Sequence, residues 1–219
     1  MPTTDLLGRL SQIEASHLAD ADKGIRVMDA GLQRLNPGRK LLGPARTVVA
    51  REDFMSVMVA LDESRPGEVL VIDTRGSRRA VLGELFSLEA ARRGLAGIVV
   101  DGPVRDVVTL RQLALPVYAR SQTPLAGTLR QLQPTQVPVN CGGVQVCPGD
   151  ILLGDDDGIV VASAADLAVL LPAAEAIEAR ERAVIARIQA GENLFGMLNF
   201  AEHRANLAAG RESALRFLD

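Results

Sequence analysis

The sequence predicts an α/β layered sandwich with helical N- and C-terminal arms, and three observations carry that expectation. Between residues 45 and 119, apolar runs of strand length alternate with segments of helical spacing. From 135 to 162 the chain turns to short Val-rich runs separated by Gly-Gly, Pro-Gly and Asp-Gly. Before and after this region lie segments of helical periodicity. Strand and helix taking turns implies crossover units and a mainly parallel layer. Short strands joined by tight turns imply antiparallel pairing.

The elements follow in order. Residues 4–22 put Leu6, Leu7, Leu10, Ile13 and Leu18 near helical spacing, with Thr4 as N-cap. A short helix is expected over 26–35, ended by the turn Asn36-Pro37-Gly38. After Gly43-Pro44 a β-branched strand covers 45–50. A helix over 54–62 then carries Phe54, Met55, Met58, Val59 and Leu61, and Pro66-Gly67 closes it. The run 68–73 reads as a buried strand, 79–93 as a helix, 97–101 as a strand, 107–113 as a helix and 116–119 as a strand. Short strands are expected at 135–140, 144–147, 151–154 and 159–162. A helix over 164–190 ends at Gly191 as a C′ glycine, with Pro172 at a boundary or kink. Residues 198–218 read as a last amphipathic helix. The expected organisation is a single domain with its core over 26–163 and helical arms at 1–25 and 164–219.

Composition narrows the function. At 219 residues and 47% hydrophobic, the chain can build a core without disulfides or a structural metal. A net charge of -3 argues against a nucleic-acid partner, which needs a basic face, and 3% aromatic content argues against base-stacking platforms. With no signal peptide and no bilayer-length apolar run, the expectation is a cytoplasmic protein with no membrane partner. Cys141 and Cys147 match no common zinc spacing and read as small apolar residues in strands. His17 and His203 are isolated and read as structural. Asp155-Asp156-Asp157-Gly158 lacks the spaced ligands of a calcium loop and reads as a strand turn. Arg75, Arg78 and Arg79 either attract an anionic substrate or form a solvated turn. The glycine-rich pieces match neither a dinucleotide fingerprint nor a phosphate-binding loop.

The chemistry concentrates in GELFSLEAARRGLAGIVVDGPVRD, from Gly83 to Asp106. Gly83 before a helix permits a tight turn that leaves the N–H groups of Leu85 and Phe86 unpaired, a place for a carboxylate or phosphate. Glu84 projects an acid beside them. Alone, this is equally an ordinary turn into a buried helix. Arg105 and Asp106 follow a strand, and ligands gather at strand carboxyl ends in α/β sheets. Arg105 can grip a carboxylate with two parallel hydrogen bonds. Asp106 is a hard oxygen ligand suited to Mg²⁺ or Mn²⁺, and equally a helix-capping acid in a surface ion pair. The 20 residues between Glu84 and Arg105 are enough for one helix and one strand, which would return the chain to the same sheet edge.

That spacing, an acid, 20 residues, then Arg-Asp, resembles the motif of the family named for regulator of ribonuclease activity A. The similarity is to its aldolase branch, the class II 4-hydroxy-4-methyl-2-oxoglutarate / 4-carboxy-4-hydroxy-2-oxoadipate aldolases. LNPGRKLLGPARTV, GEVLVID and PVNCGGVQVCPGDILLGDDDGIVV carry the same resemblance, which spans about residues 26 to 191. It implies a swivelling β/β/α-type fold assembled as trimers or hexamers. It implies that Asp106 binds a divalent metal (Mg²⁺ or Mn²⁺), and that Arg105 binds the carboxylate and keto oxygen of a small 2-oxo acid. By the same resemblance Gly83, Leu85 and Phe86 form the carboxylate site and Glu84 positions a proton-carrying water. Glu181 of a neighbouring subunit, with Glu178 second, reaches the metal's water shell. The implied activity is cleavage of a 4-hydroxy-2-oxo diacid to pyruvate, with decarboxylation of oxaloacetate through the same enolate. The alternative is a protein-binding inhibitor of ribonuclease E. A Schiff-base route is disfavoured, since Lys23 and Lys40 are the only lysines. Two departures stand out: Glu84 where some aldolases carry Asp, and Thr109 where many relatives carry an acid. The second marks a weaker metal site or a different substrate.

Overall fold

The computed structural model describes residues 3–218 and separates into two compact units, one through Ala174 and one from Glu175. An eight-stranded sheet organises the first. Its centre is four parallel strands: β3 (Leu41–Val49), β4 (Val69–Asp73), β5 (Gly97–Val104) and β6 (Val117–Gln122). Antiparallel strands extend both sides. With β1 (Arg26–Val27), β2 (Gln33–Arg34), β9 (Ile151–Gly154) and β10 (Ile159–Ala162), the order is β1-β10-β9-β3-β4-β5-β6-β2. A separate antiparallel pair joins β7 (Val139–Cys141) to β8 (Val144–Val146). The parallel crossovers are α3 (Met55–Asp62), α4 (Glu84–Arg92) and α5 (Val107–Gln112).

The strand period of two separates the layers. Leu70 and Ile72 of β4 face a core shared with Val57, Ala60 and Leu61 of α3, Ala90 of α4 and Leu110 of α5. Val69 and Val71 face the opposite way, into a core with Val139, Cys141 and Val146 of the hairpin. Hairpin, sheet and helices therefore stack as β/β/α. A third cluster packs α1 (Thr3–Leu10), α2 (Ala15–Ala21) and the start of α6 (Ala164–Gln189) on β9 and β10 through Leu10, Leu18, Ile151, Val160 and Leu171.

Several expected elements differ. The helix over 4–22 is two helices broken at residues 11–14, and Thr4 lies inside α1 rather than capping it. At the break, the Glu14 N–H donates to Nδ1 of buried His17. The helix expected over 26–35 is absent: β1 and β2 pair instead with β10 and β6, because sheet edges supply hydrogen bonds that outweigh weak local helical spacing. The helix expected over 79–93 starts only at Glu84, since residues 80–82 are buried and Ala80 bridges to Ala126. Cys147 lies just beyond β8 rather than in a strand. Residues 155–158 do form the β9–β10 turn, where Asp155 accepts the Ala15 N–H at 2.7 Å and Asp156 pairs with Arg34 at 3.0 Å.

In the second unit α6 runs to Gln189, and Gly191 follows in the left-handed region at φ 93°. Pro172 sits within α6. The single helix expected over 198–218 is instead α7 (Phe200–Ala208) followed by a returning segment that bridges Phe217 to Leu198. Buried Asn199 holds this return: its side chain donates to the Ala214 carbonyl and accepts from the Arg216 N–H.

Candidate active site

Two chain segments meet at the carboxyl end of the parallel strands. On one side, β5 breaks register against β6 between Val100 and Pro103, a bulge that re-aims the strand end. Gly102 is required there, because a Cβ would lie 2.3 Å from the Thr74 hydroxyl oxygen. Beyond the bulge the Arg105 N–H donates to the Leu82 carbonyl at 3.1 Å, tying the strand end to the segment that enters α4. Asp106 then adopts left-handed backbone at φ 57°, ψ 37°, an uncommon conformation for a non-glycine residue and one that is frequent at functional sites.

Asp106 precedes α5 but its side chain does not cap that helix. Its Oδ2 instead accepts the Glu84 N–H at 3.1 Å and lies 3.4 Å from Arg105 Nε. The carboxylate thus sits over the start of α4. Gly83 fits this contact rather than a strained turn. Its φ of -150° is open to any residue, but a Cβ would approach Asp106 Oδ2 to 2.5 Å and Arg105 Cγ to 3.0 Å. The first i−4 hydrogen bond of α4 runs from Ser87 to the Gly83 carbonyl, so the Leu85 and Phe86 N–H groups have no such partner within the helix.

Thr109, where an acid was expected, has a use of its own. Its hydroxyl donates to Glu84 Oε2 at 2.9 Å, joining the first turn of α5 to the first turn of α4. Glu84 is therefore held in one position by a neutral donor, whereas a second carboxylate would repel it. Thr109→Val is expected to release the Glu84 side chain at unchanged fold, with the contact recovered in Thr109→Ser, as crystal structures of the three proteins would show.

Gly83, Glu84, Leu85, Phe86, Arg105 and Asp106 all border one cavity of about 260 Å³. A second hollow of about 330 Å³ shares Arg105 and Asp106 and adds Gln122 and Thr123. Arg105 and Asp106 side chains are 44% and 35% exposed, so both reach solvent. Phe54, Met58 and Leu129 also line the first cavity, and sequence periodicity marked the first two only as a helix face. Phe54 meets Phe86 edge to face at 5.6 Å.

Leu129 is brought there by buried Asp53, which accepts from the Thr128 hydroxyl and the Arg130 N–H, both at 2.6 Å. Burial opposes ionisation of Asp53, yet these donors and the Met55 N–H hold its pKa below the usual carboxylate value. Its stabilisation is complete above the ordinary carboxylate range, near pH 4, and is lost as pH falls below it. Asp53→Ala is expected to cost about 2–3 kcal/mol at neutral pH by urea denaturation, with the difference shrinking in acid.

Among the described residues no group of three or more His, Cys, Asp or Glu is set to hold a metal ion. Two carboxylates border the cavity: Glu84, whose Oε2 is taken by Thr109, and Asp106, whose Oδ1 is not used by the helix start. That fits a hard divalent cation that retains most of its water, and does not fit zinc. Glu178 and Glu181 lie on α6 in the second unit, where Glu178 pairs with Arg182 at 3.4 Å. Of the arginines before the corner, Arg75 pairs with Asp73 and Arg79 with Glu52. Lys23 and Lys40 are engaged elsewhere, with Asp20 and Glu14.

Fold and site together define a β/β/α protein with a helix start facing an Arg-Asp pair. The RraA-like family model, Aldolase/RraA, matches residues 15–161, and the chain belongs to that family. A Halalkalibacterium halodurans protein with the provisional name 4-hydroxy-4-methyl-2-oxoglutarate aldolase is 35% identical over 85% of this chain and 91% of its own. Streptomyces coelicolor RraAS2, described as an unusual member of the RNase ES inhibitor RraA family, superposes with a TM-score of 0.72 at 34% identity. That match covers 81% of this chain and 94% of RraAS2. A Thermus RNA-processing inhibitor RraA matches at TM-score 0.64 and 31% identity, covering 68% of this chain and 92% of that one.

Proposed function

We propose that the chain is a divalent-metal-dependent lyase that cleaves a 4-hydroxy-2-oxo diacid to pyruvate plus a second oxo acid. Oxaloacetate decarboxylation would follow through the same pyruvate enolate. The observation that supports this most is the meeting of the α4 start with Arg105 and Asp106 on one cavity, sealed by the 3.1 Å contact from the Glu84 N–H to Asp106.

The substrate carboxylate would bind the Leu85 and Phe86 N–H groups, where the helix dipole favours an anion. Arg105 would donate to the carboxylate and the 2-oxo oxygen and stabilise the charge that grows on that oxygen as the C3–C4 bond breaks. Glu84, oriented by Thr109, would take the C4 hydroxyl proton through a water and return a proton to C3. Asp106 would hold the Mg²⁺ or Mn²⁺, with water-mediated help from Glu181 of a neighbouring subunit and Glu178 as the second choice. A bound metal supplies Lewis-acid polarisation of the 2-oxo group. The proposed assembly is a homotrimer or a hexamer, and the proposed location is the cytoplasm. Among the described residues no helix is long and apolar enough to cross a membrane.

Purified protein with Mg²⁺ or Mn²⁺ is expected to release pyruvate from oxaloacetate and from 4-hydroxy-4-methyl-2-oxoglutarate, followed by NMR. EDTA should abolish the release and added metal restore it. No pyruvate from any 4-substituted 2-oxo acid would end this proposal.

The likeness to RraA structures favours a second reading, a protein that binds and inhibits ribonuclease E. Tight ribonuclease E binding that persists in Asp106→Ala would favour it, because protein docking has no need of a metal carboxylate.

A further inference from the structure

Glu52, in the connection from β3 to α3, adopts the left-handed region at φ 59°, a conformation that few residues other than glycine take up. Such outliers persist where the surroundings over-determine them. Here the surroundings are two segments that reach the cavity of the site. One is residues 77–82, the entry to α4. The Glu52 carboxylate accepts the Ser77 hydroxyl at 3.1 Å and the Arg78 N–H at 3.0 Å through Oε1, and its Oε2 lies 2.8 Å from Arg79 Nε. Donation from the Arg78 N–H above all, then from Ser77 and Arg79, holds the carboxyl below the usual carboxylate range. The other segment is residues 125–130. The Glu52 carbonyl accepts the Thr128 N–H at 2.9 Å, and a Cβ at Gly127 would lie 3.0 Å from that carbonyl oxygen. The two segments also hold each other, the Ala80 N–H donating to the Leu125 carbonyl at 2.8 Å and the Gly127 N–H to the Ala80 carbonyl at 2.9 Å. Ala80, Val81, Leu82, Ala126 and Leu129 then line the cavity, and the Leu82 carbonyl takes the Arg105 N–H.

We propose that Glu52 is a positioning residue of the site: its left-handed turn aims a carboxylate at one segment and a carbonyl at the other, and so fixes the path that leads into Gly83 and Arg105. Residues 77–82 belong to no helix or strand of the fold, so bonds from outside the segment set their course. In the lyase reading, on which the ligand measurement below rests, a displacement of about 1 Å along that path is enough to cost about tenfold or more.

Two measurements on Glu52→Gly and Glu52→Gln test this. Glycine takes φ 59° freely, so the turn survives while the carboxylate is lost. Glutamine keeps an oxygen acceptor for Ser77 and Arg78. Hydrogen exchange on the metal-free protein should find the Ala80 and Gly127 amides at least about tenfold faster in Glu52→Gly, with the β4 amides as protected as in the parent. Calorimetry with Mg²⁺ and pyruvate should find pyruvate bound about tenfold more weakly by the same variant, and Glu52→Gln should recover most of both effects. Unchanged exchange at Ala80 and Gly127, pyruvate bound as tightly as by the parent, or no recovery in Glu52→Gln overturns the proposal. So does a Glu52→Gly chain that fails to fold or loses protection in β4 as well, since Glu52 is then a stability residue. A parent protein that binds no pyruvate overturns the lyase reading, while loosened Ala80 and Gly127 amides in Glu52→Gly still support the positioning role.

Discussion

Asp106→Ala is expected to lower pyruvate release by roughly 10²–10³-fold, as removal of a single charge-stabilising group does in comparable sites. Calorimetric Mg²⁺ binding should vanish with it. The carboxylate has two roles that substitution can separate. Its Oδ2 accepts the Glu84 N–H, and in the proposed lyase its charge also holds the metal. Asp106→Asn keeps an acceptor and tolerates the left-handed backbone at φ 57°, so its stability should match the parent while metal binding is still lost. Asp106→Ala removes the short polar side chain that eases the left-handed conformation and should cost about 1 kcal/mol as well. Full activity in Asp106→Asn would show that charge at this position is dispensable.

Gly83→Ala is the second large effect, expected at about a hundredfold loss in kcat/KM with little change in stability. Alanine adopts φ -150° without strain, so the helix start survives. Its Cβ would sit 2.5 Å from Asp106 Oδ2, a side-chain end that can swing away. The swing takes the carboxylate off the Glu84 N–H and crowds Arg105, so the fold persists while the constellation opens. Near-normal kinetics with an unfolding midpoint lowered by several degrees would reverse that assignment and make Gly83 a stability residue.

Much of the body was legible because its signals are local. Val69–Ile72 is an unbroken apolar run bounded by Glu68 and Asp73, and it becomes the body of a fully buried central strand. The β9–β10 turn is legible for the same reason, through Asp-Gly chemistry. Legibility fails where partners are distant. Residues 26–35 have weak helical spacing, and only edges offered by β10 and β6, over 80 residues away, turn them into strands. The last stretch fails similarly, since Asn199 holds the returning segment at Ala214 and Arg216.

Residue types and spacing alone determined that an acid at a helix start and an Arg-Asp pair 20 residues on could share a sheet edge, because a helix and a strand have known lengths. Tertiary structure decided the rest. It showed that Gly83 is needed for space rather than for backbone freedom, and that the Thr109 hydroxyl holds Glu84. It also brought Leu129 to the cavity wall through Asp53. Each of these is a contact between segments far apart in sequence, set by packing, and no local pattern encodes the distance between two such atoms.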